Sequence, residues 1–175
     1  MALNIKICKI IPLYRGKGNK HCIENYRPIS ILNTLARIFE TSLFFLIRDI
    51  LKHKLSPNQH GVVWRKTTLT NLLNSYNHVY TNFDNKLPVD IVTINFSKAF
   101  DKVPHDLLLW KLSGAGQSNA YIKLLSNWLS NRFHLVKVGE ARLQAFPVYC
   151  GVPQGSISSP IIFNVYVNGL YDFFY

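Results

Sequence analysis

Two short stretches hold residue types at spacings that could do chemistry: "VDIVTINFSKAFDKVPH" at 89–105 and "GVPQGSISSP" at 151–160. In the first, Val89, Ile91, Val92 and Ile94 are β-branched, and the run ends on Asn95 before Pro104 opens a helix. A strand end beside a helix start is a place for an acid, but Asn95 supplies only an uncharged amide. In the second, Gln154 offers a side-chain amide and Gly155 leaves room for close approach, with backbone N–H groups leading into a helix. That set suits a flat nucleotide, and it equally suits an ordinary strand-to-helix turn. A Walker loop needs Gly-Lys-Ser/Thr, whereas residues 155–157 are Gly-Ser-Ile, and "RGKGNK" at 15–20 fails the same test. Ser156, Ser158 and Ser159 do not form Gly-x-Ser-x-Gly, which argues against a serine hydrolase. Cys8, Cys22 and Cys150 are odd in number and lack a Cys-x-x-Cys pair, and His21–Cys22 has no second pair to complete a metal site.

The elements that must position these stretches follow from apolar periodicity. Residues 5–13 predict a strand stopping at Pro12, followed by a basic, turn-rich loop. Leu35, Ile38, Phe39, Leu43, Leu46, Ile47, Ile50 and Leu51 recur at helical spacing and predict a long amphipathic helix. A second helix over 68–80 has a stripe of Leu69, Leu72, Leu73, Tyr76, Val79 and Tyr80. The strand 89–95 comes next, then a helix from Pro104 that fades at Gly114. A helix over 118–130 is capped by Ser118 and has Tyr121, Ile122, Leu125, Trp128 and Leu129 on one face. A hairpin turns near Gly139-Glu140, and Pro160 starts a final helix. Strands and helices mix without strict alternation, which makes the fold class α+β.

The 175 residues fit one domain, and 48% apolar content supports a core. The formal charge is +11, unevenly spread: residues 1–66 hold 12 Lys/Arg against 3 acids, and residues 67–175 hold 8 against 6. A polyanionic partner fits this imbalance, as does a solvated basic face or an anionic membrane surface. The greasiest run, Leu43 to Ile47, is far short of the roughly twenty residues of a membrane span. Neither a secretory leader nor a disulfide framework is evident, so the expectation is an intracellular protein, nuclear or cytoplasmic, that is not secreted.

"INFSKAFDKVPHDLLLWKL", "GVPQGSISSPIIFNVYVNGL" and "NYRPISIL", with "SPNQHG" before a helix, occur in an order that resembles the reverse transcriptase domain of non-LTR (LINE-type, jockey-like) retrotransposons. The similarity runs from about Ile10 to Leu170. It implies a right-hand polymerase fold, with about 1–88 mostly fingers and about 89–175 mostly palm. It also implies RNA-templated DNA synthesis on an RNA template and DNA primer, with deoxynucleotides and two Mg²⁺ ions. By position, Arg27 would meet the incoming phosphates, and Lys98 and Ala99 would lie on the turn nearest the triphosphate. Phe100 would stack under the sugar, and Gln154 and Gly155 would line the nucleotide and template pocket. Lys17, Lys20 and Lys66 are the further basic residues expected against nucleic acid. Each has a plainer alternative: Phe100 as core, Lys98 as a solvated charge, Arg27 as an ion-pair partner of Glu24. Asp101 is expected to fix the turn into the Pro104 helix rather than hold metal.

The departures from the family pattern fall on the chemistry. Asn95 stands where the family's first metal-binding aspartate belongs. The Asp-Asp hairpin and the thumb are not found, and Asp172 is a single acid near the end. Val63 and Arg65 stand where an arginine and a glycine are usual, and Cys150, Ser159 and Gly169 replace a usual Ser, Gly and Asp. The resulting expectation is a truncated, catalytically inactive fingers and part-palm fragment. The alternative is a non-catalytic, basic module binding RNA or an RNA–DNA hybrid.

Overall fold

The computed structural model of the chain describes residues 5–51 and 54–170, and of Asp49 and Ile50 only the backbone. Asp172 and the side chain of Ile50 therefore lie outside the described residues. β1 (Ile7–Tyr14) buries alternate residues, Cys8 and Ile10, as a strand with one covered face must. It runs through Pro12 rather than stopping there. Up to Ile10 it pairs in parallel with β3 (Arg132–Val138), and beyond that only with β2 (Tyr26–Ile31). Pro12, opposite Pro28, thus lies where the β3 side of the strand is open, an edge position that tolerates a missing N–H. The far side of β3 takes β5 (Phe146–Val148) at its start and β4 (Ala141–Arg142) at its end, turning at Gly139–Glu140 as predicted. The fold is mixed α+β, with five α-helices among the described residues and this sheet.

Helices cover the sheet's buried side. α1 (Thr34–Leu51) forms where expected, but its buried stripe is Ala36, Glu40, Leu43, Ile47 and Leu51. Leu35, Ile38 and Leu46 from the predicted stripe are exposed. The helix is rotated because Glu40, fully buried, replaces an apolar residue in the real stripe and hides it from a hydrophobicity count. α3 (His105–Gly114) and α4 (Asn119–Leu129) match their predicted limits. The Ser118 hydroxyl accepts from the Tyr121 N–H, and Tyr121, Leu125, Trp128 and Leu129 are buried. α5 (Ser159–Val167) completes the core with Ile161, Ile162 and Val165.

The expected strand at 89–95 is also corrected. Residues 89–95 form no strand: they run as an unpaired segment, with Ile91 76% and Val92 82% exposed. β-branched residues favour a pleated surface only when a neighbouring strand supplies one, and among the described residues none pairs with this segment. α2 (Thr68–Asp84) exists, closed by a Thr67–Thr70 capping box, but buries none of its residues. Its stripe of Leu69, Leu72, Leu73, Tyr76 and Tyr80 faces outward. Among the described residues, no helix is long and apolar enough to cross a membrane.

Candidate nucleotide groove

The two chemistry-bearing stretches are latched together by backbone. Val152 N–H donates to the Phe100 carbonyl and Gly151 N–H to the Val103 carbonyl, each at 2.8 Å. The His105 ring nitrogen lies 2.8 Å from the Gly151 carbonyl oxygen. The approach is possible only at a glycine: Gly151 has φ +86°, and a Cβ there would lie 2.7 Å from the Asp101 carbonyl oxygen. A third latch reaches β2, where Ser30 N–H donates to the Gln154 carbonyl at 2.8 Å. Gly155 (φ +102°) uses its room against that same strand, since a Cβ would stand 3.2 Å from the Ser30 carbonyl oxygen.

The latches enclose a groove of about 780 Å³. Asn95, Lys98, Ala99, Phe100, Gln154, Gly155 and Arg27 all line it, together with Arg15 and Glu24 from the loop after β1. Three cations therefore face one acid, and among the described residues Arg27 forms no ion pair with Glu24. Lys98 opens a 3-10 turn (Ala99–Lys102) in the left-handed conformation, φ 55° and ψ 43°. Phe100 is both core and wall: its ring stacks on Phe163, with centroids 4.8 Å apart and planes 28° apart.

Asp101 does not cap the helix that follows, which has Pro104 at its N-cap and no side-chain cap. Its carboxylate accepts from the Gln154 amide at 2.9 Å, so one Gln154 donor is held from behind the groove. A neighbouring cavity of about 370 Å³ lies behind this pair, lined by Asp101, Arg132 and His134 among others. Burial first, and the Arg132 charge second, hold the His134 imidazole below its usual pKa, with Asp101 opposing.

The remaining predicted basic residues lie outside the groove lining. Lys17 and Lys20 are on the exposed loop after β1, with the Lys20 ammonium 5.7 Å from the Tyr14 ring centre. The Lys66 ammonium donates to the Pro57 carbonyl, pinned to the "SPNQHG" loop. Sequence reasoning missed His105, Gly151, Arg15 and the amide pair Asn164 and Asn168. That pair holds the 54–61 loop to α5: the Asn168 amide oxygen accepts from Ser56 N–H, and the Asn164 amide oxygen from Gln59, both at 2.8 Å. Asn164 lies within α5 and Asn168 caps its end, so nothing in their spacing marked them as a pair.

The family model described as reverse transcriptase (RNA-dependent DNA polymerase) matches residues 16–174. The chain belongs to the reverse transcriptase family. It is 28% identical over 167 residues to a probable RNA-directed DNA polymerase from transposon BS of Drosophila melanogaster, covering 94% of this chain and 18% of that protein. It is 25% identical over 168 residues to the RNA-directed DNA polymerase from mobile element jockey of the same organism, covering 94% and 18%. A retrovirus-related Pol polyprotein from a type-1 retrotransposable element of Popillia japonica is 26% identical over 148 residues, covering 84% and 20%. The chain thus spans about a fifth of the length of these relatives. The motif resemblance to non-LTR reverse transcriptases and these matches agree.

Reverse transcriptases use divalent metal ions, and the groove of this one does not fit them. Among the described residues no group of three or more His, Cys, Asp or Glu could hold a metal ion. In the groove a neutral Asn95 is grouped with Arg15, Arg27 and Lys98, and among the described residues Glu24 is the one acid in the lining. A hard dication needs several anionic oxygens at one point, and this lining is net positive.

Proposed function

We propose that this reverse transcriptase chain is the fingers and part of the palm of a non-LTR retrotransposon polymerase, whose groove binds nucleotide phosphates and template–primer without metal-dependent nucleotidyl transfer. The observation that carries this reading is the joint placement of Asn95, Arg27, Lys98, Phe100 and Gln154 around one net-positive groove. Arg27 and Lys98 would neutralise phosphates. The edge of Phe100, fixed by its stack on Phe163, would meet the sugar, and the Gln154–Gly155 edge would meet the base. Asn95 leaves the centre of this arrangement without the charge that a metal requires, so the parent reaction, RNA-templated DNA synthesis, stops at binding. Lys17, Lys20 and Lys66 would act outside the groove, along the nucleic acid.

The non-catalytic binding role is favoured by charge as well as shape, since 12 of the 20 Lys/Arg lie in residues 1–66. Neutralising about three phosphates with Arg15, Arg27 and Lys98 gives a slope of log affinity against log salt of about −3, steeper if Lys17 and Lys20 join. The test is binding of an RNA–DNA hybrid by the purified chain across a salt series. An Arg27→Ala, Lys98→Ala double variant is expected to flatten the slope by about two. An unchanged slope would remove the groove from the nucleic-acid path.

A further inference from the structure

Among the described residues Glu40 is the one acid in the buried stripe of α1, with 0% of its surface exposed. No cation lies within ion-pair distance of it among the described residues. Its carboxyl reaches the turn that joins Gly155 to α5. The Ser158 hydroxyl points at Oε1 from 3.5 Å, while the Ser156 hydroxyl, the Arg132 charge, the Trp128 indole N–H and the Ile157 backbone N–H favour its ionised form. Burial outweighs them and pushes the carboxyl up from its ordinary value. Oε2 has no hydrogen-bond partner among the described residues. The nearby Arg132 is equally incomplete: one guanidinium nitrogen donates to the Cys8 sulfur at 2.5 Å, the group lies 4.5 Å from the Trp128 ring centre, and Nη1 is unpartnered.

A leucine at position 40 would continue the stripe without burying a carboxyl, and an unpaired buried acid is costly. The acid meets the hydroxyl knot just past Gly155 through Ser158, whose hydroxyl lies 3.4 Å from that of Ser156. The Ser156 oxygen lies 2.7 Å from the Ser159 hydroxyl and accepts the Ser159 N–H at 3.0 Å. This knot closes the first turn of α5, and Gln154–Gly155 hangs from it on one side and from Ser30 on the other. We infer that Glu40 is a positioning residue: from α1 it holds the Ser156–Ser159 turn, and through that turn it sets the Gln154–Gly155 edge of the groove.

The functional consequence rests on the nucleotide-groove reading, but the positioning itself can be measured without it. Hydrogen exchange is followed on the full chain for wild type, Glu40→Ala, Glu40→Gln and Leu43→Ala, with RNA–DNA hybrid affinity measured in parallel. Losing the acceptor in Glu40→Ala should speed exchange at 155–159 about tenfold while β1 and β3 keep their protection, and weaken hybrid binding by a similar factor. Glu40→Gln keeps an acceptor oxygen and should restore both to within about threefold. Leu43→Ala, a plain core truncation one turn away, should lower protection everywhere without singling out the turn. Exchange at 155–159 that rises no more in Glu40→Ala than in Leu43→Ala, or that glutamine fails to restore, would overturn the inference. If wild type itself does not bind hybrid, the groove reading falls and the exchange result still decides the role of Glu40.

Discussion

At the scale of single residues, two buried features control the groove and can be perturbed separately. Glu40 gives stability an uncommon pH dependence. Its folded pKa is raised above the ordinary value of 4.5, so the folded chain holds this proton more tightly than the unfolded chain does. Its contribution is fully present below pH 4.5 and is lost as the pH rises through the folded value. The groups facing it are Cys8 from β1, Arg132 from β3, Trp128 from α4, and Ser156, Ile157 and Ser158 before α5. The Cys8 thiol, raised by burial, stays neutral across the acidic range. His134, with a lowered pKa, works in the opposite sense, weakening the fold as pH falls, so the variant must be compared with wild type at each pH. Glu40→Gln should match wild type in melting temperature at low pH and exceed it increasingly as pH rises. A constant difference across the range would contradict the buried-acid account. At Gly151 the test is steric: alanine there meets the Asp101 carbonyl and must adopt positive φ, so Gly151→Ala should destabilise the fold by about 1–3 kcal/mol in chemical denaturation. A neutral alanine would show that the latch to Phe100 and Val103 is not made.

At the scale of elements, the parts differ in how far their own sequence determines them. α3 and α4 were legible because their signals are local: Pro104 at a start, Gly114 at an end, a Ser118 cap, and an apolar face that is also the buried face. The α1 face was misread because the core stripe contains an acid, and its burial depends on the α5 turn more than a hundred residues away. The run 89–95 was legible as β-forming but not as unpaired, since pairing is a property of a partner strand rather than of the run. α2 has a clear amphipathic pattern, and its apolar side is exposed apart from half-buried Val79. Leu72→Lys and Tyr76→Lys should therefore change stability by less than about 0.5 kcal/mol each while raising solubility. A fall in stability of about 2 kcal/mol or more from either would mean that this face is packed in solution.

At the scale of the whole molecule, the groove residues lie far apart in the chain, and what joins them is the backbone traffic among β2, the 99–103 turn and the 150–155 loop. The sequence motifs named Asn95, Arg27, Lys98, Phe100 and Gln154, and all of them face one groove. The parts that escaped sequence reading are those that do the joining: Gly151, His105 and Glu40 become visible only when distant segments meet. Charge was legible from composition alone, because it requires no knowledge of contacts. Its distribution within the groove was not: in the described lining three cations and one acid stand with an amide.

Template-directed primer extension by the purified 175-residue chain, with Mg²⁺ and deoxynucleotides and with hybrid binding verified in the same sample, tests this most directly. Bound hybrid and an unextended primer are expected; a primer lengthened in the order dictated by the template would show that the groove still supports nucleotidyl transfer.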